Sequence, residues 1–179
     1  LNFSFLISPR LQEDSGSMVP ATRHNPTAEG VAIMAKALVI YATRTNQTKG
    51  IADLIAEGMR LKGVDVMVVN VNDFTKNAID PQQYDAVIVG AATYHGEMIQ
   101  TMKTFLFGLE KFNLEGKIGA SFGAFGWSGE APGRIYDTMK NIYKMDMVGG
   151  PLMLKNPSLG GGIKMAQDYG KEIATKLGV

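Results

Sequence analysis

The stretch Lys36–Leu61, KALVIYATRTNQTKGIADLIAEGMRL, decides how this chain folds. Its first part, Ala37–Tyr41 (ALVIY), is a short, wholly apolar run rich in β-branched residues, as a strand covered on both faces requires. Its last part places Ile51, Leu54, Ile55 and Met59 at offsets 0, 3, 4 and 8, which makes one apolar face of a helix over Gln47–Leu61. Gly63 stands where the C-cap of that helix belongs. Between strand and helix lies Thr43-Arg44-Thr45-Asn46-Gln47-Thr48, a hydroxyl-rich loop that feeds a helix N-terminus.

The same alternation continues downstream. Val66–Val71 (VMVVNV) reads as a second strand, followed by a loop-like stretch containing Asp80-Pro81. Ala86–Ala92 (AVIVGAA) is a third strand, and Met102, Phe105, Leu106, Leu109 and Phe112 mark the next helix. Lys117–Phe122 (KIGASF) is a fourth strand. It leads to a helix expected over Arg134–Met145, with Ile135, Met139 and Ile142 on one face. Gly150–Lys155 is a fifth, less regular strand, and Gly162–Leu177 a final helix with Ala166, Tyr169, Ile173 and Leu177 inward. Strands alternating with helices imply an α/β fold, a doubly wound five-stranded parallel sheet with helices on both faces. Ligands of such sheets sit beyond the strand C-termini, where the strand order reverses. The order 2-1-3-4-5 puts that crevice between the ends of the first and third strands, so the loops after Tyr41, Ala92 and Phe122 carry the functional question.

Composition sets the outer bounds. With 179 residues, 45% hydrophobic and 20% charged, the chain suits one soluble α/β domain. A net charge of +1 argues for neither nucleic acid nor an anionic membrane as partner. The absence of cysteine excludes disulfides, thiol catalysis and a cysteine-held iron–sulfur cluster. No apolar run approaches the roughly 20 residues of a membrane helix, and the opening Leu1–Ile7 is too short for a secretory signal, so a cytoplasmic location is expected. Residues 1–33 carry Pro9, Pro20 and Pro26 and show no periodicity. They are expected to be an irregular N-terminal extension ahead of a domain over residues 34–179, either upstream sequence translated with the gene or the tail of a preceding domain.

Thr43, Thr45 and Thr48 recur at spacings of two and three beside a helix N-terminus, whose free N–H groups and dipole favour an anion. Thr and Asn there also serve simply as helix caps, which leaves the first loop open to either reading. Neither the G-x-G-x-x-G nor the G-x-x-x-x-G-K-[ST] pattern occurs, so no dinucleotide fingerprint or Walker loop is present. In the second loop, Thr93-Tyr94-His95-Gly96, an aromatic is followed closely by a glycine, which suits a planar ring with backbone near its edge. Tyr94 alone also fits a packed surface tyrosine, and His95 a solvated loop histidine. The third loop, from Gly123 and Ala124 through Phe125-Gly126-Trp127-Ser128-Gly129, holds two aromatics on permissive backbone, suited to stacking on a ring system.

These loops resemble those of a known family. The flavodoxin phosphate loop has the form [ST]-x-T-G-x-T, and Thr43, Thr45 and Thr48 fall on its hydroxyl positions, with Asn46 in place of its glycine. Asn tolerates the left-handed conformation better than most residues. The third loop, with its G-W-S-G-E-A run at Gly126–Ala131, is similar to the flavodoxin domain of flavodiiron (A-type) flavoproteins, and the likeness covers Lys36–Val179. The resemblance implies a flavodoxin-like fold and an FMN site. In that site Thr43, Arg44, Thr45, Asn46, Gln47 and Thr48 meet the phosphate. Thr93, Tyr94, His95, Gly96, Ala124, Phe125, Gly126, Trp127 and Gly129 meet the ring. The His95–Gly96 peptide is the one that responds to flavin reduction. The function implied is electron transfer between redox partner proteins, a reductase and an acceptor. The alternative is an FMN-dependent NAD(P)H:quinone reductase of the same fold, although its usual insertion has no obvious room here. A flavin-free receiver domain would need acidic residues at the ends of the first and third strands, where this chain has Thr and Tyr. With only His24 and His95, the chain lacks the histidines of a flavodiiron metal centre.

Overall fold

A computed structural model describes residues 34–126 and 128–179. The expected extension over 1–33 and the side chain of Trp127 lie outside the described residues. Five strands or strand pairs form the sheet: β1 (Lys36–Ala42), β2 (Asp65–Asn70), β3 (Ala86–Ala91), β6 (Ile118–Ala124), and the short β7 (Asp146–Met147) and β8 (Leu152–Leu154). A separate two-stranded hairpin, β4 (Thr93–Tyr94) and β5 (Glu97–Met98), follows β3. The helices are α1 (Gln47–Arg60), α2 (Val71–Lys76), α3 (Gln100–Gly108), α4 (Glu130–Asn141) and α5 (Gly162–Lys176).

The sheet runs β2-β1-β3-β6, with β7 and β8 both on the outer edge of β6, and every pair in it is parallel. The expected order 2-1-3-4-5 is therefore present, with its fifth position filled by two fragments. In register, Tyr41 lies between Asn70 and Gly90, Gly90 faces Phe122, and Ala124 faces Leu154. The strand C-termini thus end along one edge, above which the three loops emerge.

Alternation along the strands divides the core in two. Ala37, Val39 and Tyr41 point to the face covered by α1 and α5, with Ile51, Ile55, Met59, Ala166 and Ile173 buried there. Leu38 and Ile40 point to the other face, covered by α2, α3 and α4 through Phe74, Met102, Leu106, Ile135 and Met139. On the first face α1 and α5 approach backbone to backbone. A Cβ at Gly58 would lie 2.1 Å from the carbonyl oxygen of Gln167, and one at Gly170 would lie 2.1 Å from that of Ile55. Only glycine permits that contact. Tyr169 of α5 is buried and donates its hydroxyl to the Gly150 carbonyl at 2.9 Å, and burial pushes that hydroxyl well above the usual phenol range. This bond pins the link between β7 and β8 to the final helix.

Three expectations are corrected. The fifth strand is not continuous over Gly150–Lys155, because Gly149-Gly150-Pro151 interrupts it and Asp146–Met147 takes up the first part of the pairing. The helix α4 begins at Glu130, not Arg134, and ends at Asn141, which leaves Ile142 exposed instead of on the inward face. Pro132 fits inside its first turn because the N–H it lacks has no intrahelical acceptor there. The loop-like stretch after β2 holds a short helix, α2, capped by the Asn70 side chain accepting from the Asn72 N–H at 2.9 Å, with Val71 and Phe74 buried beneath it.

Candidate functional site

The head of α1 presents a set of unused donors. Asn46 is its N-cap residue and adopts the left-handed conformation, φ 63°, as expected where the related pattern has glycine. Its carbonyl accepts from the Gly50 N–H at 3.0 Å, but its side chain makes no capping bond. The side chain of Thr48 is wholly buried, and neither its hydroxyl nor the buried hydroxyl of Thr43 has a partner. Helix capping therefore does not account for these residues. A buried hydroxyl without a partner is costly, and native structures keep few of them. Thr48 stands in the first turn of α1, where a helix leaves N–H groups free and its dipole is positive, and Thr43 stands in the loop that leads into it.

The second loop is a tight hairpin. Tyr94 pairs with Glu97 across His95 and Gly96, whose φ values of 50° and 73° are the paired positive angles of a two-residue type I′ connection. Glycine enters that region freely, whereas His95 is held there at a cost. The hairpin is anchored on three sides. Thr93 accepts from the Ala131 N–H at 3.1 Å, capping α4 in place of Gly129, whose side has no group to do so. Glu97 forms ion pairs with Arg134 and Lys103, and these cations hold its carboxyl down at about 2. Arg44 of the first loop lies over the Tyr94 ring.

The third loop leaves β6 at Ala124, and Phe125 donates its N–H to the Leu154 carbonyl at 3.1 Å. The three loops border a cleft of about 770 Å³ that takes in Thr45, Gln47, Thr93, Tyr94, His95, Gly96, Ala124, Phe125 and Gly126. That volume lies within the range of small-molecule and cofactor sites. Thr43, Arg44, Asn46 and Thr48 of the same loop do not border it, and neither does Gly129, which packs against Met153. A hollow of about 900 Å³ between α2 and α3 is larger, but it is framed by Phe74, Phe105 and Phe112 and does not take in the loops after β1, β3 and β6. Sequence reasoning missed Lys155, Asn156 and Leu159, which border the cleft from the loop after β8. The fifth strand also ends at the ligand edge, so its following loop was a legible fourth contributor.

By fold, the chain belongs to the doubly wound α/β proteins that hold a ligand at the switch point of a parallel sheet. Comparison with known proteins narrows this class. Residues 38–142 match the family described as flavodoxin domain, and the chain belongs to that family. A flavodoxin of Aquifex aeolicus is 40% identical over 101 residues, 54% of this chain and 54% of that protein. A type A flavoprotein of Rhodobacter capsulatus is 28% identical over 145 residues, 78% of this chain and 33% of its own length. Among solved structures, a flavodoxin from the domain Archaea superposes with a TM-score of 0.72 at 31% identity, over 80% of this chain and 99% of the other. The chain spans 28% to 54% of the length of the first curated relatives it matches. FMN is the cofactor that flavodoxins and their fold bind. The residues present fit it: two buried hydroxyls without partners stand at an anion-ready helix N-terminus, beside an aromatic-bordered cleft of suitable size.

Proposed function

We propose that this protein binds FMN in the cleft above β1, β3 and β6 and passes electrons between redox partner proteins. In this reading Thr43, Thr45 and Thr48, with the first N–H groups of α1, hold the phosphate. Tyr94 and Phe125 flank the ring, with Trp127 assigned to the same role by its place in the third loop. The observation that carries the reading is the pair of buried, unpartnered hydroxyls of Thr43 and Thr48. A bound oxyanion would give both hydroxyls an acceptor.

Bound FMN supplies the capacity to accept and release electrons singly or in pairs, while the protein sets the potentials. The chain's own contribution is positional. The loop after β1 fixes the phosphate and so the reach of the ring. The His95–Gly96 turn brings a backbone peptide to the ring side of the cleft. The aromatics limit water around it. No side chain in the cleft is needed to move a proton. A cytoplasmic setting belongs to the same proposal.

The purified protein is expected to show a flavin absorption spectrum, to release FMN on denaturation, and to bind FMN far more tightly than riboflavin. Equal affinity for the two flavins overturns the phosphate assignment. A carrier should oxidise NADH or NADPH slowly until a separate reductase is added, whereas a quinone reductase turns over on the order of 10 times per second by itself.

A further inference from the structure

The loop after β8 introduces a charge into the cleft. Leu154 ends β8 opposite Ala124, its carbonyl receives the Phe125 N–H, and Lys155 follows directly. Two residues on, Pro157 packs against the first turn of α1, where a Cβ at Gly50 would lie 3.2 Å from its ring. Lys155 and Asn156 therefore bridge from the third loop to the head of α1. Both border the same cleft as Thr45 and Gln47.

No Asp or Glu is among the described residues bordering that cleft, and Lys155 is its only Lys or Arg. Lys49 of α1 is paired with Asp53, and Lys164 and Lys171 of α5 are both paired with Asp168. Lys155 is exposed and forms no ion pair among the described residues. The carboxamide oxygen of Asn156 accepts from the Ser158 N–H at 2.8 Å, an arrangement that leaves its NH2 group free to donate.

We propose that Lys155 is a specificity-determining residue that selects the phosphorylated flavin by charge, closing the phosphate end of the cleft opposite the neutral hydroxyls of the first loop. This rests on the FMN reading above. A phosphate monoester carries about −1.5 to −2 charge at neutral pH. Hydroxyls and helix N–H groups donate to it but neutralise none of that charge, apart from the helix dipole. The Arg44 guanidinium of the first loop lies over the Tyr94 ring and does not border the cleft, so an ammonium on the facing loop adds countercharge where the first loop brings none.

The test uses the full chain stripped of flavin, as wild type, Lys155→Gln and Lys155→Arg, titrated with FMN and with riboflavin at low and at raised salt. Lys155→Gln should weaken FMN about tenfold at low salt, the scale of one charge-assisted hydrogen bond, and leave riboflavin unchanged. It should also flatten the salt dependence of FMN binding, and Lys155→Arg should restore both affinity and salt dependence. Inorganic phosphate should raise the melting temperature of flavin-free wild type more than that of Lys155→Gln. Equal losses for FMN and riboflavin, unchanged FMN affinity, or an Arg variant as weak as the Gln variant overturns the proposal. Failure of the wild type to bind FMN at all instead removes the parent reading, so the two failures are distinguishable.

Discussion

The guanidinium of Arg44 lies 4.8 Å from the centroid of the Tyr94 ring, so the loop after β1 touches the hairpin after β3 directly. One residue comes from the proposed phosphate loop and the other from the proposed ring wall. The contact couples the two ends of the cleft. Both side chains are at least partly exposed, so the interaction sits at the weak end, roughly 0.5–1 kcal/mol. Arg44→Ala is expected to weaken FMN about two- to fivefold by loosening Tyr94, measured by flavin fluorescence titration. Tighter binding in this variant would show that Arg44 occupies the place of the ring.

Thr43→Val and Thr48→Val should separate stability from binding. In the flavin-free protein each change replaces an unpartnered buried hydroxyl with a methyl group, so the melting temperature should hold or rise. FMN affinity should fall by about 1–3 kcal/mol, because the oxyanion then loses its donor. Calorimetry on the flavin-free protein and FMN titration give the two numbers independently. A drop in melting temperature with FMN affinity unchanged would assign these hydroxyls to structure alone.

Gly96→Ala meets open space around its Cβ but a backbone angle of 73° that L-residues avoid. It should cost about 1–2 kcal/mol of stability. It should also shift the first one-electron potential, because the same peptide is the one proposed to respond to the redox state of the ring. His95→Asn, by contrast, should be neutral, since Asn enters this region readily. Potentiometry decides the matter: a lower melting temperature with unchanged potentials would confine Gly96 to turn formation.

Glu97 ties the hairpin to α3 and α4, and its carboxyl is held at about 2 by hydrogen bonds from Lys103 and Arg134. An unfolded glutamate titrates near about 4.3. The stabilisation it contributes is therefore fully present above that value and is lost as pH falls through about 2. Glu97→Gln should lower the melting temperature at neutral pH, and the gap from wild type should close between these two values. A gap that persists unchanged in strong acid would show that Glu97 acts through packing and not through its charge.

Much of this architecture is readable from local pattern, but its edge is not. ALVIY, AVIVGAA and the α1 face at Ile51, Ile55 and Met59 carry their burial in their own spacing, and they lie where expected. The fifth position of the sheet does not. A two-residue and a three-residue segment pair with β6 on either side of Gly149-Gly150-Pro151, and such pairing is a long-range event that no local period announces. Likewise α2 is too short for its two buried positions, Val71 and Phe74, to display a helical repeat. Pro132 reads as a break in sequence, yet it sits in the first helical turn where proline is tolerated. At the site, the hydroxyl and aromatic loops were legible as residue types. The loop after the fifth strand was legible as a contributor, but Lys155 itself read as the last residue of that strand, which ends one residue earlier at Leu154.

The glycine contact between α1 and α5 also has a consequence for biosynthesis. The helix behind the proposed phosphate loop forms early in the chain, but its packing face is completed only by Gln167 and Gly170, more than a hundred residues later. A nascent chain on the ribosome therefore carries the ligand loop long before it has the support that holds the loop in shape. Closing so distant a contact is slow relative to local helix formation. Cofactor loading thus awaits synthesis through Gly170. An added side chain at either glycine would be felt as poor yield of flavin-loaded protein before any change in its electron-transfer properties could be measured.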